Sequence, residues 1–219
     1  MASLKLLSDM QAELHEALND LGGRQGDGLL EQYAFYTAAH INRAAEGYVY
    51  LRESRRVEAS KHLVRTAIEA FIRLQCIRKH PELLFRIAFT EFNEDKKWAR
   101  SAKGEDLANA MQAIEANWVA FVEGYRKRYP EHSSNEKELS LRRAAEYAGM
   151  EGYYDSHYRL YCRFTNAALR ASIGDLSAFD AEDNRTMTVC ALAAVEALVG
   201  LGASAPNLAS LNQRLSVNV

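Results

Sequence analysis

A chain of 219 residues, 48% hydrophobic and 26% charged, is long enough to bury a sizeable core and has the composition of an ordinary globular domain. Its formal net charge of −2 excludes a protein that coats nucleic acid through overall basicity, so any such binding needs a local patch. With only 3 prolines among abundant Ala, Leu, Glu and Arg, the composition favours long helices over sheet, and the expected fold is all-α.

Residues 3–21 carry Leu4, Leu7, Met10 (or Gln11), Leu14 and Leu18 on one stripe, the spacing of an amphipathic helix. GGRQGDG at 22–28 ends it. This first helix either packs on the bundle or serves as a dimerisation arm. Residues 29–54 read as a second helix, rich in aromatics, with His40, Asn42, Arg43 and Glu46 at its middle. A third follows almost at once over 57–79, so the two form an antiparallel hairpin. Its core stripe is Leu63, Ala67, Ala70, Leu74 and Ile77; its polar stripe is Glu58, His62, Arg65, Glu69 and Arg73.

Pro81 opens a fourth helix, apolar at first and charged towards residue 102. A fifth, over 105–129, turns Leu107, Met111, Ile114, Trp118 and Phe121 inward. The segment 129–138 reads as a loop, a short helix covers 139–148, and an apolar helix capped by Asp180 runs over 181–201. Residues 204–219 read as a weakly ordered tail.

The stretch 152–174 has the length of one buried helix, yet Arg159, Arg163, Asn166 and Arg170 fall at i, i+4, i+7 and i+11 on one face. Tyr161, Phe164, Thr165 and Ala168 fall on another. Such a helix packs one way and offers cations the other. The arginines then meet either carboxylates such as Glu46 and Glu69, or a ligand phosphate held by bidentate hydrogen bonds. Arg65 and Glu69, at i and i+4, are either an intrahelical pair on a wet face or part of a half-buried cluster lining a cleft with His40 and Arg43. His62 alone is a weak catalytic candidate.

The 3 cysteines, Cys76, Cys162 and Cys190, are scattered through apolar patterns and read as reduced thiols. No phosphate-cradling glycine loop, paired-cysteine site, HExxH or GxSxG occurs, so no metal and no cofactor are expected. The opening MASLKLLSDM lacks the build of a secretory leader and no run of eighteen apolar residues occurs, which predicts a cytoplasmic protein without a membrane partner.

The hairpin HINRAAEGYVYLRESRRVEASKHLVRTAIEAFIRLQCIRKHPELL and the element YRLYCRFTNAALRA together resemble a bacterial helical family of unknown function, over 33–95 and 150–173. That family is similar in turn to the HEPN-like bundles, which include toxin and phage-defence ribonucleases. The resemblance implies a metal-independent RNA-cleaving site in which an Arg is followed a few residues later by His, frequently composite across a dimer. Arg159 takes the place of the Arg, and Asn166 stands where the His belongs. An amide cannot exchange a proton near neutral pH, so acid–base catalysis is lost unless the pair lies elsewhere, at Arg56 and His62 or at Arg73 and His80.

The expectation is a single helical domain: a first helix and glycine-rich loop over 1–28, an up-and-down bundle over 29–203, and the tail. Its four-helix core is 29–54, 57–79, 151–173 and 181–201, and 81–102 with 105–129 form a lateral hairpin, about eight helices in all. The functional expectation is a HEPN-like ribonuclease or toxin-like defence protein, inactive or weakly active as written. It would use Arg159 and Asn166, with Tyr158, Arg163, Arg170, His40, Arg43, His62, Arg65 and Glu69 as binding residues. The alternatives are a non-catalytic binding module for RNA, nucleotide or protein, and a structural interaction protein. RNA or another phosphate-bearing ligand, an antitoxin-like protein and a second copy of the chain are the expected partners; the apolar helix at 181–201 argues for the homodimer.

Overall fold

The computed structural model describes residues 3–22, 28–101, 105–132, 134–164 and 179–217. The fold is all-α, with no strand among the described residues. Its helices are α1 (Leu4–Gly22), α2 (Leu29–Glu53), α3 (Val57–Lys79), α4 (Leu84–Ser101, entered by a 3₁₀ turn at Pro81–Leu83), α5 (Glu105–Arg128), α6 (Leu141–Ala148), α7 (Glu151–Tyr153), α8 (Arg159–Phe164), α9 (Asp180–Gly200) and α10 (Leu208–Val217). A π-helical turn, Tyr154–Tyr158, joins α7 to α8.

The core is a ring of α1, α2, α3 and α9, each packed on the next, with α9 also lying against α2. α1 joins the expected members α2, α3 and α9; of the stretch expected at 151–173, the described residues pack on α3 and bury Tyr161 and Phe164, and residues 165–173 lie outside the described residues. α1 buries Leu6, Leu7, Met10, Leu14, Ala17, Leu18 and Leu21, an apolar face much wider than its Leu stripe alone. The first helix therefore packs on the bundle. α9 buries residues on nearly every side, from Thr186 to Leu198, and is covered by α1, α2 and α3. Much of the apolar run that argued for a homodimer is thus covered by its own chain, with Val199 left exposed.

The tail needs correcting too. Residues 208–217 form α10, whose Leu211 and Leu215 are buried and which packs on α1. Glu13, itself buried in α1, accepts from the Asn207 amide N–H and side chain, both at 2.9 Å, and so holds the start of α10. Asp20 accepts from the Ser204 amide at 2.9 Å.

Three helix ends close by the same device. After α6, Gly149 (φ 67°) donates to Glu146 O while Met150 donates back to Ala145 O. After α9, Gly202 (φ 96°) and Ala203 repeat the pattern on Val199 and Leu198. After α2, Arg55 (φ 58°) and Arg56 repeat it on Arg52 and Leu51, with an arginine where the left-handed conformation favours glycine. That turn reverses the chain into α3 and makes the expected α2–α3 hairpin.

α4 and α5 form the lateral hairpin, zipped by rings: Phe92 stacks on Trp118 at 4.7 Å, and Phe85 meets Trp118 and Tyr125 at 5.3 and 5.1 Å. No helix among the described residues is long and apolar enough to cross a membrane.

Candidate functional site

The third helix is covered on one side by the ring and presents its polar stripe to three neighbours. Arg73 donates to Glu91 of α4 (2.9 Å) and to Glu94 (3.4 Å), and Tyr33 of α2 donates to the same Glu91 oxygen at 2.8 Å. Two turns back along α3, Arg65 donates to Glu69 at 3.0 Å. Tyr158, from the π turn, also donates to that Glu69 oxygen, at 2.9 Å. The Arg65 guanidinium lies 5.7 Å from the Tyr158 ring and 3.5 Å from its hydroxyl.

Arg65 and Glu69 are thus half-buried and tied to a second element rather than only to each other, at 38% and 30% side-chain exposure. Burial pushes the Arg65 guanidinium down, but Glu69 and Tyr158 beside it more than offset this. Burial raises the Tyr158 phenol, and neighbouring Glu69 raises it further.

Between α2 and α3, beside Glu91, opens a cleft of about 390 Å³ lined by Tyr33, Tyr36, Thr37, His40, Thr66, Glu69, Ala70, Arg73 and Glu91. Burial lowers the His40 imidazole below its ordinary value, and the charges of Arg43 and Arg73 lower it further. Burial raises the Glu91 carboxyl, against the opposite pull of Arg73 and Tyr33.

Of the sequence-predicted residues, His40, Glu69, Arg65 and Tyr158 come together at or beside this cleft. Arg43 and His62 are exposed. Asn42 turns the other way, buried and accepting from Gln11 of α1 at 3.1 Å. Arg159 is 62% exposed and pairs with Asp155 at 3.4 Å, one turn away on the same surface; Arg163 is exposed. Asn166 and Arg170 lie outside the described residues, so the geometry expected between Arg159 and Asn166 has no counterpart in this description.

Within the described part of the helix expected over this stretch, residues 152–164, the α-helix is not continuous. Its start is interrupted: the Arg159 amide donates to Tyr154 O, five residues back, which widens the turn. The extra residue lets Tyr153 stack on His157 (4.4 Å) and Tyr154 on Tyr158 (5.0 Å), and aims Tyr158 at α3. His157 anchors the turn to α9 through Glu182 at 2.8 Å. Ser156, His157 and Glu182 form a hydrogen-bonded string in triad order. However, the Ser156 hydroxyl donates to Gly152 O at 2.6 Å, so the string braces the turn and holds no poised nucleophile.

Sequence reasoning passed over a second polar cluster. Lys61 and Asp183, 1% and 0% exposed, pair in the interior between α3 and α9. Tyr161 donates to the other Asp183 oxygen at 2.5 Å, and the Lys61 ammonium sits 5.5 and 5.6 Å from the Phe164 and Phe179 rings. Burial raises the Asp183 carboxyl while Lys61 and Tyr161 hold it down. Beside it, Tyr48 donates to Asn184 at 2.9 Å and Arg52 to Asp180 at 2.6 Å. Asp180 therefore lies inside the first turn of α9 and binds across to α2; Phe179, not Asp180, takes the cap position.

The sequence profile of a family of unknown function, DUF5677, matches residues 31–183, well over half of the chain. This protein belongs to DUF5677. No curated protein and no solved structure matches it. The DUF5677 span runs from α2 to Asp183 and so contains the cleft, the π turn, and both partners of the buried ion pair. It leaves out α1 and α10, although α1 completes the core.

Proposed function

We propose that this DUF5677 protein binds RNA through the surface carrying Arg159 and Arg163, as a silent or weakly active relative of the HEPN-like ribonucleases. The observation that supports the reading is the pair of exposed guanidinium groups one helical turn apart, directly after a turn pinned to the fold through Tyr158 and His157. The Arg159–Asp155 contact is an exposed i, i+4 pair, worth a few tenths of a kcal/mol, and leaves the guanidinium able to exchange its carboxylate for a phosphate. In a chain of net charge −2, such a patch is where phosphate affinity has to come from.

Cleavage needs a group that exchanges a proton near neutral pH, and at position 166 the chain has an amide. A labelled RNA incubated with the protein is expected to stay intact, with chelators making no difference, and Asn166→His is expected to introduce cleavage. Strong cleavage by the unaltered chain would move the catalytic pair elsewhere. A homodimer and an antitoxin-like partner belong to the same proposal, because HEPN-like sites are frequently composite.

The structural reading has its own support: Arg73 joins α3 to α4 through Glu91 and Glu94, and Arg65–Glu69–Tyr158 joins α3 to the π turn. These ion pairs involve Arg65 and Arg73, whereas Arg159 and Arg163 face solvent.

A further inference from the structure

We infer that the cleft between α2 and α3 is a pocket for a neutral planar heteroaromatic group, a nucleobase, placed next to the phosphate-binding arginines. The inference rests on the RNA-binding reading and assigns the cleft to the base. Charge comes first. Each carboxylate in the cleft already has its guanidinium: Glu91 has Arg73, and Glu69 has Arg65. His40, lowered by burial and by two nearby arginines, adds no charge at neutral pH. With both carboxylates ion-paired, the cleft suits an uncharged occupant better than a phosphate or an amine.

The lining says what kind. At the cleft the Tyr36 ring is 61% exposed, a large apolar face that the fold does not cover. Stacking on such a ring suits a flat π-system. The Thr37 and Thr66 hydroxyls donate to Tyr33 O (2.7 Å) and His62 O (3.0 Å), so their oxygens are left to accept. A neutral imidazole offers one donor and one acceptor. Acceptors and donors along the floor beside an aromatic wall are what the edge of a base requires. The volume, about 390 Å³, falls within the ordinary range for small-ligand pockets.

Adjacency is set by Glu69. This residue lines the cleft and accepts from Tyr158, whose Cα is about 3.8 Å from that of Arg159. The cleft and the arginine-bearing helix thus meet at the Tyr158–Glu69 bond.

The test is calorimetric titration of the full chain with adenosine and uridine, and with ribose 5-phosphate for comparison. Nucleoside binding is expected, weakened roughly tenfold by Tyr36→Ala and retained by Tyr36→Phe. His40→Ala is expected to weaken it as well. No nucleoside binding, equal binding by Tyr36→Ala, or tighter binding of ribose 5-phosphate than of adenosine would overturn the inference. The RNA reading fails by a different result: RNA affinity that Arg159→Ala and Arg163→Ala leave unaltered.

Discussion

Lys61 holds its ammonium at 1% exposure, where a lone charge would cost several kcal/mol, and it persists because Asp183 accepts from it and two rings flank it. Removing one partner leaves the other stranded. Lys61→Met is expected to cost about 3–5 kcal/mol in urea unfolding, and adding Asp183→Asn is expected to recover part of it. A single variant of unchanged stability would contradict a dry interior pair. Nothing in the sequence marked either residue, because Lys61 sits in ASKHL and Asp183 in DAEDN, surroundings as charged as any solvated face. Pairing across 122 positions is set by how α3 and α9 cross, which periodicity does not encode. Glu91 carries a pH signature. Burial raises its carboxyl above the ordinary glutamate value, so the native state keeps a proton that the unfolded chain has released. Stability therefore falls as pH rises from the ordinary glutamate value through the raised native one. Glu91→Gln keeps an acceptor for Tyr33 and Arg73 and is expected to flatten that part of the curve. An identical slope in both proteins would place the titration elsewhere.

At the scale of elements, the helix ends carry the clearest tests. Arg55 occupies the left-handed position that Gly149 and Gly202 occupy in the same motif. Arg55→Gly is expected to raise stability by up to about 1 kcal/mol, roughly 2–4 °C in Tm for a chain of this size. A lowered Tm would mean that the Arg55 side chain makes a contact worth more than its backbone strain. Glu13 reports on the join between α1 and α10. Glu13→Ala removes two hydrogen bonds to a buried carboxylate and is expected to cost about 1.5–3 kcal/mol; a loss below about 0.5 kcal/mol would make α10 an incidental passenger. The long helices were readable because 3.6-residue periodicity is a local property: α2, α3 and the α4–α5 hairpin fall where the pattern puts them. The π turn was not readable. One extra residue in a helical pattern leaves the same residues in the same order, and only the contacts of Tyr158 and His157 show where it is absorbed.

For the whole molecule, periodicity does not measure how much surface each helix covers. The expected core left out α1, whose buried apolar face packs against α9. α9, read as apolar from its sequence, is packed on by α1, α2 and α3. The candidate site was legible in parts. His40, Arg65, Glu69 and Tyr158 could be named from spacing and resemblance, but not Tyr33, Tyr36 and Glu91, which join them through the approach of α2 and α4 to α3. The central claim is that Arg159 and Arg163 hold the backbone of RNA. It is tested by fluorescence anisotropy of a labelled single-stranded oligoribonucleotide, titrated with the full chain across a series of salt concentrations. Two phosphate contacts at roughly 0.7 each predict an affinity that falls with log salt at a slope of about −1.4, and a double variant, Arg159→Ala with Arg163→Ala, that loses both the affinity and the slope. Equal affinity and an equal slope for the two proteins, or no binding by the unaltered chain at low salt, would contradict it.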